Sequence, residues 1–540
     1  MIKLTASLAL LICLVLGCAP RESAVEAGIR SQTLHIGNNA EPPDLDPHTN
    51  NSLVVSFILS ALNEGLVGLA NDGSTIKPGL AERWEISPDG LRYTFHLRPN
   101  AKWSNGEAVT AHDYVAGIRR FLNPLVTCEA VNIAFPITGA RDFAESRSSD
   151  FASVGVTAPD ARTVEIRLDF RAPYFLSALA DTHLVPLYQP MLDEFDGHQK
   201  RGGKWTLPGN LISNGPFTLE AWEPNVAMIV VKNPHYWQAD QIALSAVHFH
   251  PIEDGGGEER AFRAGQLHVT FSVPTSKLKI YLADEPAALR SGPILRSDFI
   301  AFNTTKAPFD NPLVRRAFSL AIDRDRLVSS VLQGQGSSAY TFTPAFSGGY
   351  DLPPLARYDP ATAQQLMAEA GYPGGEGFPP VEFTLSSRDQ AKLTWGQALQ
   401  QMWKETLGVE LNLAPTEFKV WLDILRNQSH LLTTSNWNLS VDDPTDMLAL
   451  GLSTNPNNDA YWKNPRFDAA FDAINQAATK KARRDAIIAC ERLIHEEAPW
   501  APIFFTTRNQ LVHPSVQGWQ GNPLQIIDWT ALSLRAPASD

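Results

Sequence analysis

Tyr93, Phe95 and Leu97 alternate with Thr94, His96 and Arg98, the period of a strand with one buried face. Asn71-Asp72-Gly73, Pro78-Gly79 and Ser87-Pro88-Asp89-Gly90 cut the surrounding stretch, Leu62 to Tyr114, into short β elements. Gly, Asn and Asp accept turn geometry and Pro presets φ. The same punctuation predicts strands over 163–168, 217–222, 227–231 and 247–251. Beyond about residue 300 the period changes. From Pro312 to Gln333, Leu313, Ala317, Leu320, Ala321 and Leu327 fall at helical spacing behind a first-turn proline, predicting one helix. Further helices are predicted over 388–407, 419–428 and 466–497, alternating with strands at 381–385 and 409–413. That half reads as an α/β lobe.

At 540 residues the chain exceeds one ordinary core, so two or three domains are expected. The net charge of −13 excludes nucleic acid and anionic lipid surfaces as partners. Residues 1–18 read as a lipoprotein signal peptide and 19–31 as a polar tether. Lys3 supplies the positive start, and the apolar run Leu4–Leu16 is too short to span a bilayer. Val15-Leu16-Gly17-Cys18 resembles a lipobox, which makes Cys18 the lipid attachment point and anchors the exported protein to a bacterial membrane. The alternative is a plain secretory signal cleaved near Gly17 or Ala19. Cys128 and Cys490 then remain, far apart in sequence, and are expected as buried thiols rather than a disulfide.

Catalytic and metal patterns are sparse. Ser276-Lys277-Leu278-Lys279 matches S-x-x-K without its usual companions. Gly255-Gly256-Gly257-Glu258-Glu259 lacks the ending of a phosphate loop. His248-Phe249-His250 puts two imidazoles on one strand face, but sequence positions no Cys, Asp or third His beside them. No enzyme, cofactor or metal is predicted.

The motifs L-x-E-G-L at Leu62, P-G-L-A-E-x-W at Pro78, Y-T-F-H-L-R at Tyr93 and K-W-S-N-G-E-x-V-T-A-x-D at Lys102 occur in this order. Later come S-N-G-P-F-T-L at Ser213, N-P-x-Y-W at Asn233, F-N-T-x-K-x-P-F-D-N-P-x-V-R-x-A at Phe302 and A-I-D-R at Ala321. Together they resemble the peptide/nickel class of extracellular solute-binding proteins, above all its oligopeptide binders. The resemblance spans nearly the whole chain. It implies a two-lobed α/β periplasmic-binding-protein-like fold (cluster C type) with a small domain inserted in lobe I and a hinge between lobes. Carried over, lobe I is 32–67, 183–295 and 507–538, the inserted domain 68–182 and lobe II 296–506. It further implies a monomer that captures short peptides between its lobes and delivers them to an inner-membrane ABC permease and its ATPase.

The implied site centres on Thr434 to Pro444. In oligopeptide binders this strand carries an Arg, a Trp three residues on, an Asp three beyond that, and a D/E-P. The Asp pairs with the peptide's α-ammonium, while the strand's backbone binds the peptide as an added strand. Trp437 and Asp443-Pro444 match, whereas Thr434 replaces the Arg and Ser440 the Asp. Asn436 and Asn438 complete the strand, and the positions of a disulfide found in some relatives read Asn438 and Arg296. A desolvated ammonium without its partner costs about 3–5 kcal/mol. Three readings stay open: Asp442 as the substitute anion, a peptide whose amine is capped or faces water, and a non-peptide ligand such as a glycan fragment or opine-like conjugate. Phe299 and Trp403 join Trp437 as candidate aromatic walls, and Asn51, Ser52 and Leu53 are lobe I's contribution. A sensor or chaperone-like lipoprotein without a permease is the rival from another class; Ala19 after Cys18 favours it by directing a lipoprotein to the outer membrane.

Overall fold

The computed structural model describes residues 22–50, 52–128, 130–386 and 390–536. Three sheets organise them. The first orders Thr33–Gly37, Ala246–His250, Ala227–Lys232 and Phe217–Glu223, its first two strands parallel and the others antiparallel. Its inner face (Leu34, Ile36, Val247 and Phe249) packs on Phe57 and Ile58 of the helix Leu53–Leu62. A second, antiparallel sheet of Ala81–Ile86, Arg92–Leu97, Thr163–Arg167 and Val156–Asp160 lies within the segment that interrupts the first. The third orders Gly336–Ser338, Trp500–Leu511, Leu289–Phe302, Leu432–Asn438, Val381–Ser386 and Leu411–Thr416. This is the expected two-lobed α/β architecture with an insertion in the first lobe.

Local patterning works as physical chemistry requires. Tyr93, Phe95 and Leu97 are buried between the insertion's sheet and its helix Ala111–Phe121, with Arg92 on the exposed face. Gly90 takes φ +71° in the turn between the two strands, a conformation that a side chain resists. Two predicted helices divide. Pro312–Leu320 ends, and Asp323 caps a new helix over Arg324–Leu327 by accepting from Arg326 N. The buried Arg324 guanidinium spans the break, donating from Nη1 to the Ser319 and Ile322 carbonyls at the end of the first helix and just beyond it. Similarly, 466–497 becomes Pro465–Gln476 and Lys480–Glu497, the second capped by Thr479.

Leu289–Phe302 and Trp500–Leu511 form an antiparallel ribbon between the lobes, its register slipping between Pro293 and Ser297. Val269 bridges Ile36 on one side and Val512 on the other, tying one end of the ribbon to the first sheet. The other end forms the centre of the third. Such a paired crossing permits bending while fixing which faces meet. Cys128 and Cys490 form no disulfide. Cys490 is buried, as expected, whereas Cys128 is only half-buried, at the margin of the insertion's core. No helix among the described residues is long and apolar enough to cross a membrane.

One buried ion pair joins the insertion to lobe I. Arg120 Nη1 and Nη2 reach Asp46 Oδ1 and Oδ2 at 2.9 and 2.6 Å, while Arg120 Nε donates to the Gly197 carbonyl and Gly202 N to Asp46. Arg120→Met strands the Asp46 carboxylate and should cost about 3–5 kcal/mol of stability, read from chemical denaturation.

Candidate functional site

The strand Leu432–Asn438 is held along its whole length by Leu289–Phe302, in the register Arg296↔Asn438 to Phe302↔Leu432. On its other side it pairs with Val381–Ser386 only at Leu432 and Thr433. From Thr434 onward that edge has no strand partner among the described residues. Burial falls along the same direction, from a buried Leu432 through half-buried Asn436 and Trp437 to an exposed Asn438. The sheet therefore splits here and presents main-chain donors and acceptors to the cleft.

Side chains grade the notch. Thr434 is buried with an unpartnered hydroxyl. Lys392, from the helix Gln390–Leu407, donates from Nζ to Asn436 Oδ1 at 2.9 Å. Asn436 lies two residues from Thr434 on the same strand face. A cation thus arrives from a neighbouring element near the place where the strand lacks its arginine.

The loop after the strand is organised by an acid that sequence reasoning missed. Asp446 accepts from Ser440 N at 2.5 Å, Val441 N at 3.4 Å and Trp437 Nε1 at 3.4 Å. Burial raises its pKa to about 6; those three donors oppose the rise and Asp181 adds to it. Its carboxylate therefore lies against the backbone of Ser440, the position where the expected Asp is missing. Asp442 is turned elsewhere: Oδ1 accepts from Gly348 N at 2.8 Å, and burial raises its pKa. Asp443 caps the helix Pro444–Leu448 and makes a buried bidentate pair with Arg483 at 2.8 and 2.9 Å.

The opposite wall comes from lobe I and the insertion. His183, buried between Asp181 and the Asn50 carbonyl, has Nδ1 2.5 Å from Asp181 Oδ1 and Nε2 2.8 Å from Asn50 O. Burial alone would lower its pKa; the Asp181 carboxylate and the Asn50 carbonyl outweigh burial and raise it. Asn50 Oδ1 accepts from Ser52 N, which opens the helix carrying a half-buried Leu53. Asn51 and Cys18 lie outside the described residues.

The walls touch. Val441 is buried in the insertion's core cluster, and the Arg483 guanidinium lies 6.0 Å from the Tyr174 ring. Two expected wall residues are corrected to core. Trp403 is fully buried among Phe318 and Phe383, with Nε1 donating to the Phe318 carbonyl. Phe299 is buried against Phe342 and Trp500. Helix and strand periods give a residue's face but not which neighbour covers it.

The family model for bacterial extracellular solute-binding proteins, family 5, matches residues 75–459. The chain belongs to that family. It is a family of solute binders, not of enzymes. The periplasmic oligopeptide-binding protein OppA of Salmonella typhimurium is 30% identical, with 96% of each chain covered. The probable deoxycholate-binding periplasmic protein YgiS of Escherichia coli is also 30% identical, over 90% of each. Among solved structures, Escherichia coli MppA, a murein tripeptide binding protein, gives a TM-score of 0.83 at 30% identity, covering 93% of this chain and 98% of MppA. An MppA structure described as the unliganded open form gives only 0.74, at the same 30% identity and covering 93% and 97%. Haemophilus influenzae OppA in complex with RPPGFSPFR gives 0.82 at 28% identity, covering 93% and 99%. In this family 5 binder the facing walls of the cleft are in contact.

Asp446 supplies a direct test of the site's electrostatics. Its folded pKa, about 6, lies above the ordinary 3.8, so the folded chain binds the extra proton between those values. Stability gains from this group as pH falls through about 6, and the gain is absent above it. Between pH 7.5 and pH 5 the wild type should gain about 1 kcal/mol relative to Asp446→Asn in paired thermal melts.

Proposed function

We propose that this protein is the extracytoplasmic, lipid-anchored binding component of an ABC importer, capturing a short peptide with a free N-terminus and delivering it to a permease and its ATPase. The unpaired edge from Thr434 to Asn438, inside a cleft whose walls touch, carries this reading. An extended peptide laid there satisfies the backbone groups of the split sheet and gains affinity with little sequence preference. Asp446, not Asp442, receives the peptide's ammonium beside Trp437 and Ser440, with Asp181 facing it across the cleft. Lys392 supplies positive charge toward the ligand's carboxylates. The proposed units follow the family's pattern: lobe I at 32–67, 183–295 and 507–538, the insertion at 68–182, and lobe II at 296–506. Binding by a monomer, with the lobes rocking about the ribbon near 295 and 506, completes the proposal.

YgiS supports a second reading, a non-peptide amphiphile, because it is as similar to this chain as OppA is. A melting screen with free-amine tri- to pentapeptides, their N-acetylated forms and deoxycholate separates the two. Free-amine peptides at 100 times Kd should stabilise the protein by about 2.7 kcal/mol, and Asp446→Asn should cut their affinity about 100-fold or more. A response to deoxycholate or acetylated peptides alone would refute amine capture. Anchoring has its own readout: lipid labelling of the expressed chain should vanish in Cys18→Ala.

A further inference from the structure

The first sheet has a second surface, opposite the one packed on the helix Leu53–Leu62. His35, His248 and His250 lie on it, all half-buried. Parallel pairing sets His35 directly beside His248, and His250 follows two residues on, on the same face. The fold thus places beside the pair a third imidazole that sequence spacing does not. The missing histidine comes from a strand more than two hundred positions upstream, and only the sheet register brings it in.

The rings converge. Their centroids are 4.8 Å apart for His35 and His248, 5.4 Å for His35 and His250, and 6.4 Å for His248 and His250. One nitrogen from each can be chosen so that all three lie within 4.8 Å of one another. His35 Nδ1 and His250 Nε2 are already 3.1 Å apart, close to the roughly 3.3 Å between two ligands of a tetrahedral ion at 2.0–2.1 Å. An outer imidazole flanks the set. His268 stacks on His35 at 5.7 Å and accepts from its backbone N–H.

We propose that His35, His248 and His250 form a three-imidazole site for a borderline transition-metal dication, with the fourth position open to water or an external ligand. A set of nitrogen donors without a carboxylate selects Zn2+, Cu2+ or Ni2+ and disfavours Ca2+ and Mg2+. The site shares no residue with the cleft, so it adds a second ligand class to the molecule and does not depend on the peptide reading.

Zinc is the practical probe. The purified chain, free of any histidine tag, is dialysed against Zn2+ and its metal content measured, with affinity taken from calorimetry. One Zn2+ per chain is expected. His248→Asn and His250→Asn, checked for native circular dichroism, should each weaken binding about tenfold or more. Co2+ in place of Zn2+ should show the intense visible bands of a four-coordinate site, lost in the same variants. His35→Asn tests the third ligand in the same assays. No stoichiometric uptake, or wild-type affinity in folded variants, would overturn the assignment.

Discussion

A strand cannot leave one edge of its backbone unpaired in a dry place, because each stranded amide or carbonyl costs as much as a lost hydrogen bond. In this protein that constraint falls on Thr434 to Asn438, where the third sheet divides. Everything around the division fits an occupant that supplies backbone groups of its own. The Leu289–Phe302 strand fixes the far edge, Lys392 and Asp446 place opposite charges beside it, and Val441, just beyond it, packs into the insertion's core.

Charge in the cleft is arranged in two ways that differ in consequence. Asp443 is buried with Arg483 in a bidentate pair, so its charge is neutralised within lobe II whether or not the lobes meet. Asp446 has only backbone amides and an indole N–H, and burial raises its pKa. An acid held by dipoles alone is the one that gains most from an arriving cation. Asp442, already engaged with Gly348 N, has less to gain. The proposed anion is therefore Asp446, four residues beyond Asp442 and inside the helix that follows the strand.

Local structure was legible because its causes are local. Alternation buried Tyr93, Phe95 and Leu97, the turn at Gly90 closed as its residues require, and the family motifs fixed the architecture. The helix from Pro312 was overextended because its break depends on Arg324, whose partners include the distant Pro502 carbonyl. Trp403 gave a correct helix but not its environment, since Phe318 and Phe383 come from separate elements. Asp446 and His35 were invisible for one shared reason. Each acquires its significance from a loop closure or a strand register, and neither leaves a periodic signal along the chain.

Contact between the walls also bears on what a ligand has to do. Val441 in the insertion's core and the Arg483 guanidinium against the Tyr174 ring are interactions between the facing walls. They favour closure, while burying Asp446 beside Asp181 opposes it. A ligand moves such a balance only through its preference for the closed state, and a swing from 1:99 to 99:1 takes about 5.5 kcal/mol. An ammonium between the two acids does this efficiently, because it cancels the opposing term and leaves the favourable contacts intact. A neutral ligand would have to supply the difference through apolar burial alone. OppA and YgiS are equally similar to this chain, so the scaffold does not choose between these solutions. The few charges that closure buries do.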